Sequence, residues 1–465
     1  MTERLVVIGG DAAGMSAASQ ARRRRAPDDL EIVAFERGRF TSYSACGIPY
    51  FVGGDVPRLE SLVMRSPERF RDRYAIDART RHEAIEIDLG RRAVRVRGPE
   101  GDESWTAFDQ LVVATGAQPV RPPLPNADAR NVFGVQTLEH GIAIAEALDD
   151  VAPESAVVVG GGYIGLEMAE AFVKRGLRVA LVEAAAQPMS TLDPDMGGLV
   201  TDALTDMGID VHLGERVEGF ETRGGAVCAV VTEQRTLPAD VVVLGLGVRP
   251  NVALAEAAGI PIGPSGAIAV DRRMRTRVDG VWAAGDCAEK FHRVARKPVA
   301  IALGTHANKE GRVAGVNIGG DYATFPGVLG TAVSKFCAIE VGRTGLREAE
   351  ALGAGFSPLG VVVESTTRAS YYPGGTRIDV KLVVEQSSGR LLGAQIVGRE
   401  GAAKRIDVLA TALWAEMSVD EILNLDLSYA PPFSPVWDPV LIAARKAWAR
   451  VEEVRDGRPP ARADA

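Results

Sequence analysis

Apolar and polar positions follow two regimes along this chain. Up to about residue 328, short continuous apolar runs are bounded by glycine or charge: Leu5–Ile8, Glu31–Phe35, Leu111–Ala114, Ala156–Val159, Val179–Val182 and Val241–Leu244. Runs of that length with no polar alternation suit strands covered on both faces, as in a parallel α/β sheet. Helical stretches separate them, Ser16–Arg25 in one place and Leu166–Arg175 in another. Residues 83–97 read as an antiparallel meander. Residues 58–75 are basic and amphipathic, with Arg58, Arg65, Arg69, Arg71 and Arg73. From about 329 the character changes. Strand-like runs (Ala338–Gly342, Gly360–Glu364, Ile378–Glu385, Leu391–Val397) alternate with helical segments at 346–353, 401–416 and 419–424. This predicts an α+β region. The polar tail, 451–465, is expected to be disordered.

Two strand–helix–strand units carry glycine turns, Gly9-Gly-Asp-Ala-Ala-Gly14 and Gly160-Gly-Gly-Tyr-Ile-Gly165. In each, the second strand ends on an acid, Glu36 or Glu183, placed to take ribose hydroxyls. A lone turn of this kind is weak evidence; two in one chain, each with its acid, predict two dinucleotide sites. Candidate contacts at the first are Gly9, Gly10, Asp11, Ala13, Gly14, Glu36 and Arg37. At the second they are Gly160, Gly162, Tyr163, Ile164, Gly165 and Glu183. The first turn departs from GxGxxG, because Asp11 replaces the glycine that lets backbone approach a pyrophosphate. Its carboxylate must turn away from phosphate or bond nearby N–H groups.

A proline-rich stretch (Pro119, Pro122, Pro123, Pro125) sets a boundary near 119. After 240 the pattern turns back toward the first unit, through Val241–Leu244, Gly245–Asn251 and a strand ending in Gly285-Asp286. The predicted fold is therefore α/β. A first Rossmann-like domain is split into 1–119 and 246–328, and a second, 120–245, is inserted in it. An α+β domain over 329–450 follows.

At 465 residues the chain is long enough for these domains. A net charge of −8 argues against nucleic acid as a partner. No run of 18 apolar residues predicts a membrane span, and no signal sequence precedes the first strand. The five histidines are scattered, so no metal site is expected. Cys46, Cys228, Cys287 and Cys337 are far apart, which fits a reducing cytoplasm. Cys46 lies in Ser42-Tyr-Ser-Ala-Cys46-Gly-Ile-Pro-Tyr50. Ser44 as N-cap and Pro49 in the opening turn would put it in the first turn of a helix, where the dipole stabilises a thiolate. A buried structural cysteine is the alternative. The basic run Arg22–Arg25 reads mostly as a solvated helix end, with one arginine free to meet an anionic substrate.

With these motifs in place, residues 3–450 resemble the two-dinucleotide flavoprotein disulfide reductases. The similarity is to the single-cysteine branch that holds coenzyme A disulfide reductase, NADH oxidase and NADH peroxidase. The resemblance implies FAD at the first turn, with Glu36, Ala114-Thr-Gly116, Gly247, Gly285 and Asp286. It implies NADH at the second, with NADPH disfavoured because Glu183 is followed by Ala184, Ala185 and Ala186. The final domain matches a dimerisation domain. Five positions either side of Cys46 stand Thr41 and Phe51, so the CxxxxC of dithiol members is absent. No histidine occurs within Gly9–Gly14, where the peroxidases and water-forming oxidases have one.

What remains is similar to coenzyme A disulfide reductase, on Ser42–Tyr50, Tyr371-Tyr-Pro-Gly374, Lys404-Arg-Ile-Asp407 and Tyr429-Ala-Pro-Pro432. Ala45 and Tyr74 depart from that pattern, which often has Asn and Lys there. Cys46, Tyr371 and Tyr429 are then the implied catalytic residues. Gln20, Arg23 and Ser42 are the implied contacts to a CoA-linked disulfide or persulfide. A homodimer with composite active sites is expected, each partner lending its tyrosines. The alternative activity is an NADH oxidase or peroxidase acting through a Cys46 sulfenic acid.

Overall fold

The computed structural model of the protein describes residues 2–456. Its first sheet is parallel, with strands in the order Val281–Ala283, Gln110–Val113, Glu3–Ile8, Leu30–Glu36, Ile76–Thr80. Leu5, Val6 and Val7 at its centre are fully buried, as the unbroken apolar run requires. The helix Ala12–Arg22 follows the first glycine turn and ends sooner than expected; Arg23–Arg25 form a turn beyond it. The meander gains a third strand, Glu103–Ala107, paired with Ala93–Arg97.

The second sheet is also parallel, ordered Asp210–Leu213, Arg178–Glu183, Ser155–Val159, Val241–Leu244, Val132–Gly134. Val241–Leu244 belongs here, so the chain turns back toward the first sheet only beyond that strand. The crossing is a short antiparallel pair, Ala117–Pro119 against Val248–Pro250. Asn251 seals it: its N–H donates to Gly116 O (2.9 Å), and its carbonyl accepts from Thr115 Oγ1 (2.6 Å).

The last region is a five-stranded antiparallel sheet: Ala332–Phe336, Ile339–Gly345, Leu391–Gly398, Arg377–Glu385, Pro358–Thr366. Two elements escaped the sequence reading, the strand Ala332–Phe336 and the helix Pro439–Arg455. The helix buries a stripe of small residues, including Ala443, Ala444 and Ala447, which is a weak periodic signal. Its start is marked nonetheless, because Asp438 accepts from Val440 N (2.9 Å) beside Pro439. The expectation of a disordered tail from 451 needs correction. Residues 451–455 continue this helix and Val451 is fully buried; the tail from 457 lies outside the described residues.

One contact sets the first site's geometry. Helix Gly304–Ile318 lies directly on Ala12–Arg22 through Gly311 and Gly315, four residues apart on one face, and its C-cap Gly319 meets Arg24 just beyond. A Cβ at Gly311 would stand 2.1 Å from Ala13 O, and one at Gly315 would stand 2.2 Å from Ala17 O. Neither backbone oxygen can move aside. Gly315→Val is therefore expected to cost about 3 kcal/mol by overpacking, read as a lowered Tm. Gly198→Ala, on an open helix surface, is the control and should leave Tm near wild type.

Candidate functional site

The first glycine turn is closed by the acid at the end of the neighbouring strand. Gly10 N donates to Glu36 Oε2 and Gly38 N to Oε1, both at 2.7 Å. Gly9 has φ +110°, and a Cβ there would meet Ala114 O at 2.1 Å. Glu36 thus engages backbone with both oxygens, keeping further lone pairs for a hydroxyl. Asp11 turns away from the loop: its Oδ1 accepts from Tyr43 N at 3.1 Å, in the Cys46 segment. Burial, with Glu36 and Asp286 adding repulsion, pushes the Asp11 carboxyl up to about 7. Ala13 faces Gly285, whose added Cβ would approach it to 2.8 Å.

Gly285-Asp286 is held by an ion pair that sequence reasoning missed. Lys290 Nζ and Glu310 Oε2 lie 3.5 Å apart with both side chains fully buried. Glu310 Oε2 accepts from Gly285 N (2.8 Å), while Lys290 donates to the carbonyls of Gly285 (2.8 Å) and Ala288 (2.9 Å). No local pattern marks either residue, since they meet across 20 positions. Asp286 Oδ1 is buried with no hydrogen-bond partner. A buried carboxylate oxygen left open wants a donor, and a ligand hydroxyl supplies one. These residues fit a flavin dinucleotide.

The second turn repeats the first. Gly161 N donates to Glu183 Oε2 (2.7 Å) and Ala185 N to Oε1 (2.8 Å). A Cβ at Gly165 would lie 2.0 Å from Gly160 O, so helix Tyr163–Lys174 closes tightly on the turn. Tyr163 and Ile164 form its half-buried opening. At Gly162, by contrast, a Cβ would have only Gly245 O nearby, at 3.8 Å. That bare backbone face is what a pyrophosphate needs, so the residues fit a nicotinamide dinucleotide. Gly116 and Gly247 have positive φ and open surroundings, while Arg37 is exposed.

Cys46 is the one exposed cysteine among the four. Its segment is tied to the first turn by Ser42 N donating to Gly10 O (2.9 Å) and by the Asp11–Tyr43 bond. Ser42 itself has φ +47°. Beyond Cys46, helix Ile48–Val52 packs on Tyr163–Lys174, the helix that opens at the second turn. The thiol therefore sits where the two nucleotide units meet.

The expected low-pKa thiolate is not what the structure holds. Cys46 lies in a 3-10 turn, Ala45–Gly47, ahead of a helix of only five residues, and the Ser44 side chain caps nothing. Although the residue is exposed, the protein packed around its sulfur disfavours charge and pushes the thiol up, and Glu167 and Asp286 add to this. Burial likewise raises Cys287, and raises Cys337 to about 12.

Of Arg22–Arg25, only Arg23 has no side-chain partner among the described residues. Arg22 donates to backbone carbonyls, Arg24 pairs with Asp321 and Arg25 with Asp29. Gln20 Oε1 accepts from Arg24 (2.9 Å) one turn before Arg23. Tyr371 and Tyr429, 58 positions apart, come together with hydroxyls at 3.3 Å and are 74% and 45% exposed. The Tyr371 hydroxyl holds the Tyr429 phenol above its ordinary pKa, hence neutral. Within this chain no hydrogen bond joins either tyrosine to the Cys46 segment among the described residues. No cluster of metal-binding side chains occurs among them, and none of their helices is long and apolar enough to cross a membrane. Glu167 also accepts from Ser334 Oγ at 2.7 Å, a bond glutamine keeps. Glu167→Gln should shift the pH profile of Cys46 alkylation downward, because it removes a negative charge without removing the contact.

Known proteins share this arrangement. The profile of the pyridine nucleotide-disulphide oxidoreductases matches residues 3–311, and that of their dimerisation domain matches 331–439. A protein of Pyrococcus abyssi named NAD(P)H sulfur oxidoreductase (CoA-dependent) is 41% identical over 95% of this chain and 97% of its own length. One of Methanocaldococcus jannaschii named NADH oxidase is 37% identical over 96% of this chain and 98% of its own. The solved structure of an NAD-dependent persulfide reductase from A. fulgidus superposes with a TM-score of 0.93 at 41% identity, covering 98% of this chain and 84% of that one. With both profiles matched in order along most of its length, the chain belongs to the pyridine nucleotide-disulphide oxidoreductase family.

Proposed function

We propose that this oxidoreductase uses NAD(P)H to reduce a CoA-linked disulfide or persulfide at a single thiol, Cys46. The observation that carries the reading is the place of Cys46, exposed and tied on one side to the first glycine turn and packed on the other against the helix of the second. The names of the archaeal relatives support the substrate class. FAD and NAD(P)H are the family's cofactors. When bound there, FAD would supply two-electron transfer between the nicotinamide and sulfur. In this reading residues 1–119 and 246–328 hold FAD, 120–245 hold the nicotinamide and 329–450 pair two chains. The free thiols suit a cytoplasmic setting.

The chain's own residues do the rest. Asp286 and Glu36 orient hydroxyls of the flavin dinucleotide. Cys46 as thiolate attacks a substrate sulfur, forming Cys46–S–S–R and expelling a thiolate from a disulfide or hydrosulfide from a persulfide; the electron pair drawn from NAD(P)H then breaks that bond, releasing R–S⁻ and restoring the Cys46 thiolate. One cysteine suffices, because the second sulfur belongs to the substrate. The expelled thiolate needs a proton, and a neutral phenol can donate it. Tyr371 and Tyr429 of the partner chain fill that role in a composite site; their exposure and shared hydrogen bond support this. Arg23, with no partner of its own, meets the phosphates of CoA beside Gln20 and Ser42.

The second reading, an oxidase working through Cys46–SOH, draws on the relative named NADH oxidase. An anaerobic NADH assay across CoA disulfide, small persulfides and glutathione disulfide tests the first. Oxygen uptake without added disulfide reports the second.

Two outcomes are expected. Cys46→Ser abolishes disulfide reduction yet is still bleached by NADH, and Tyr429→Phe slows disulfide turnover by roughly 10²-fold with bleaching unchanged. Normal turnover in either variant contradicts the assignment. NADH is preferred over NADPH, because Glu183 repels a 2′-phosphate and Ala184–Ala186 offer it no cation. Comparing kcat/KM for the two cofactors checks this, and Glu183→Ala with Ala184→Arg should move the ratio toward NADPH.

A further inference from the structure

One buried charge cluster has no part in this chemistry. Lys381, in the strand Arg377–Glu385 of the C-terminal sheet, is 2% exposed. It donates to both oxygens of Asp195 (2.8 and 2.7 Å), lies 2.5 Å from Glu348 Oε1 and 3.4 Å from Asp193 Oδ2. Gln395, its register partner on the next strand, binds Asp193 twice: Nε2 donates to Oδ2 (2.6 Å) and Oε1 accepts from Asp193 N (2.7 Å). Burial works against the ammonium, yet the hydrogen bonds to Asp195 and Glu348 outweigh it and keep Lys381 charged. Asp193 is the N-cap residue of helix Pro194–Asp206 but caps nothing with its carboxylate. The carboxylate is given over to the other domain.

From Asp193 a chain of contacts runs back to the second glycine turn. Leu192 N donates to Met189 O (2.7 Å) and Met189 N to Gly161 O (2.7 Å). Met189 is buried with φ +50°, and Pro188 would meet a Cβ on Gly161 at 3.0 Å. Gly161 N in turn donates to Glu183. The loop after Glu183 is thus tied at one end to Gly161 and at the other, through Asp193, to Gln395 and Lys381. At the far end of helix Pro194–Asp206, near Asp206 and Met207, helix and sheet part around a groove of about 570 Å³. The polar contacts from Lys381 and Gln395 reach this helix at its N-terminal end, at Asp193 and Asp195. Glu348 N also donates to Asp193 Oδ1 (3.3 Å) and Oδ2 (3.4 Å), whereas Ser334–Glu167 and Lys335–Glu170 tie the C-terminal domain to the helix behind the turn.

We propose that Lys381 is a positioning residue for the pyridine nucleotide: from the C-terminal domain it anchors the 184–193 loop, and so presets the Gly161–Glu183 edge on which the nucleotide's ribose lies. This rests on the reading that the second turn binds NAD(P)H. The nucleotide's affinity then depends on a lysine that never touches it, while the thiol chemistry does not.

Anaerobic bleaching of the purified holoenzyme at increasing NADH concentration separates affinity from limiting rate. For Lys381→Met the apparent Kd for NADH should rise roughly tenfold, as displaced positioning groups do, with the limiting rate within about a factor of two. FAD content and Cys46 alkylation should match wild type, and Lys381→Arg should recover part of the affinity. Removing the lysine takes the cation away from the buried Asp193 carboxylate, so Lys381→Met has a risk of not folding. Asp195→Asn with Glu348→Gln then serves, because both side chains are half-exposed, and the same rise in Kd is expected. An unchanged Kd in a folded variant overturns the proposal, as does a loss of FAD or limiting rate without a change in Kd. Failure of NADH to bleach wild-type holoenzyme at any concentration defeats the nucleotide reading itself, a result distinct from either.

Discussion

Two carboxylates closing two glycine turns are the constraint on which the rest of this molecule depends. Glu36 and Glu183 each end a buried strand, and each accepts a glycine N–H of the adjoining turn at the same 2.7 Å. Such a bond is charge-assisted and partly withdrawn from water, so neither partner has a competing arrangement of similar energy. With the turn fixed, the direction of the helix that follows is fixed too. In the first unit that helix seats Gly304–Ile318 along the glycine stripe, and the same layer holds Gly285 and Asp286 in place.

The two turns are not equal, and the inequality organises the thiol. The second leaves its middle glycine bare, while the first puts Asp11 there and uses the carboxylate to hold Tyr43 N. The residue that spoils the glycine pattern therefore joins a nucleotide turn to the cysteine segment. The same region crowds Asp11, Glu36, Asp286 and Glu310 together, with Lys290 as the buried cation among them. Desolvation and like charge raise Asp11 and Glu310 to about 7. They also act on Cys46, against a helix too short to oppose them. What sets Cys46 apart from the other three cysteines is therefore its exposure and its place between the two units, not a stabilised charge.

The C-terminal domain does more than present a surface for pairing. Its sheet reaches into the second unit at Lys381 and Gln395, and again at Ser334 and Lys335. It also carries Tyr371, Tyr429, Phe433 and Val436 exposed to solvent. One domain thus both meets the second unit of its own chain and leaves large apolar side chains uncovered.

The amino-acid sequence by itself determined the two strand–turn–helix units, the acids that end them, the later change to an α+β region and the singling out of Cys46. These are local patterns. A buried parallel strand demands an unbroken apolar run, and a tight turn demands glycine where φ is positive, as at Gly9 and Gly160. Tertiary structure alone decided the partner of Asp11, the Lys290–Glu310 pair, the meeting of Tyr371 with Tyr429 and the Lys381 cluster. Each joins residues 20 to 188 positions apart, and no periodicity connects them. It also reversed the expected behaviour of the Cys46 thiol. A helix start is legible in a sequence, but desolvation depends on every element packed nearby, and here it is the largest influence on the thiol.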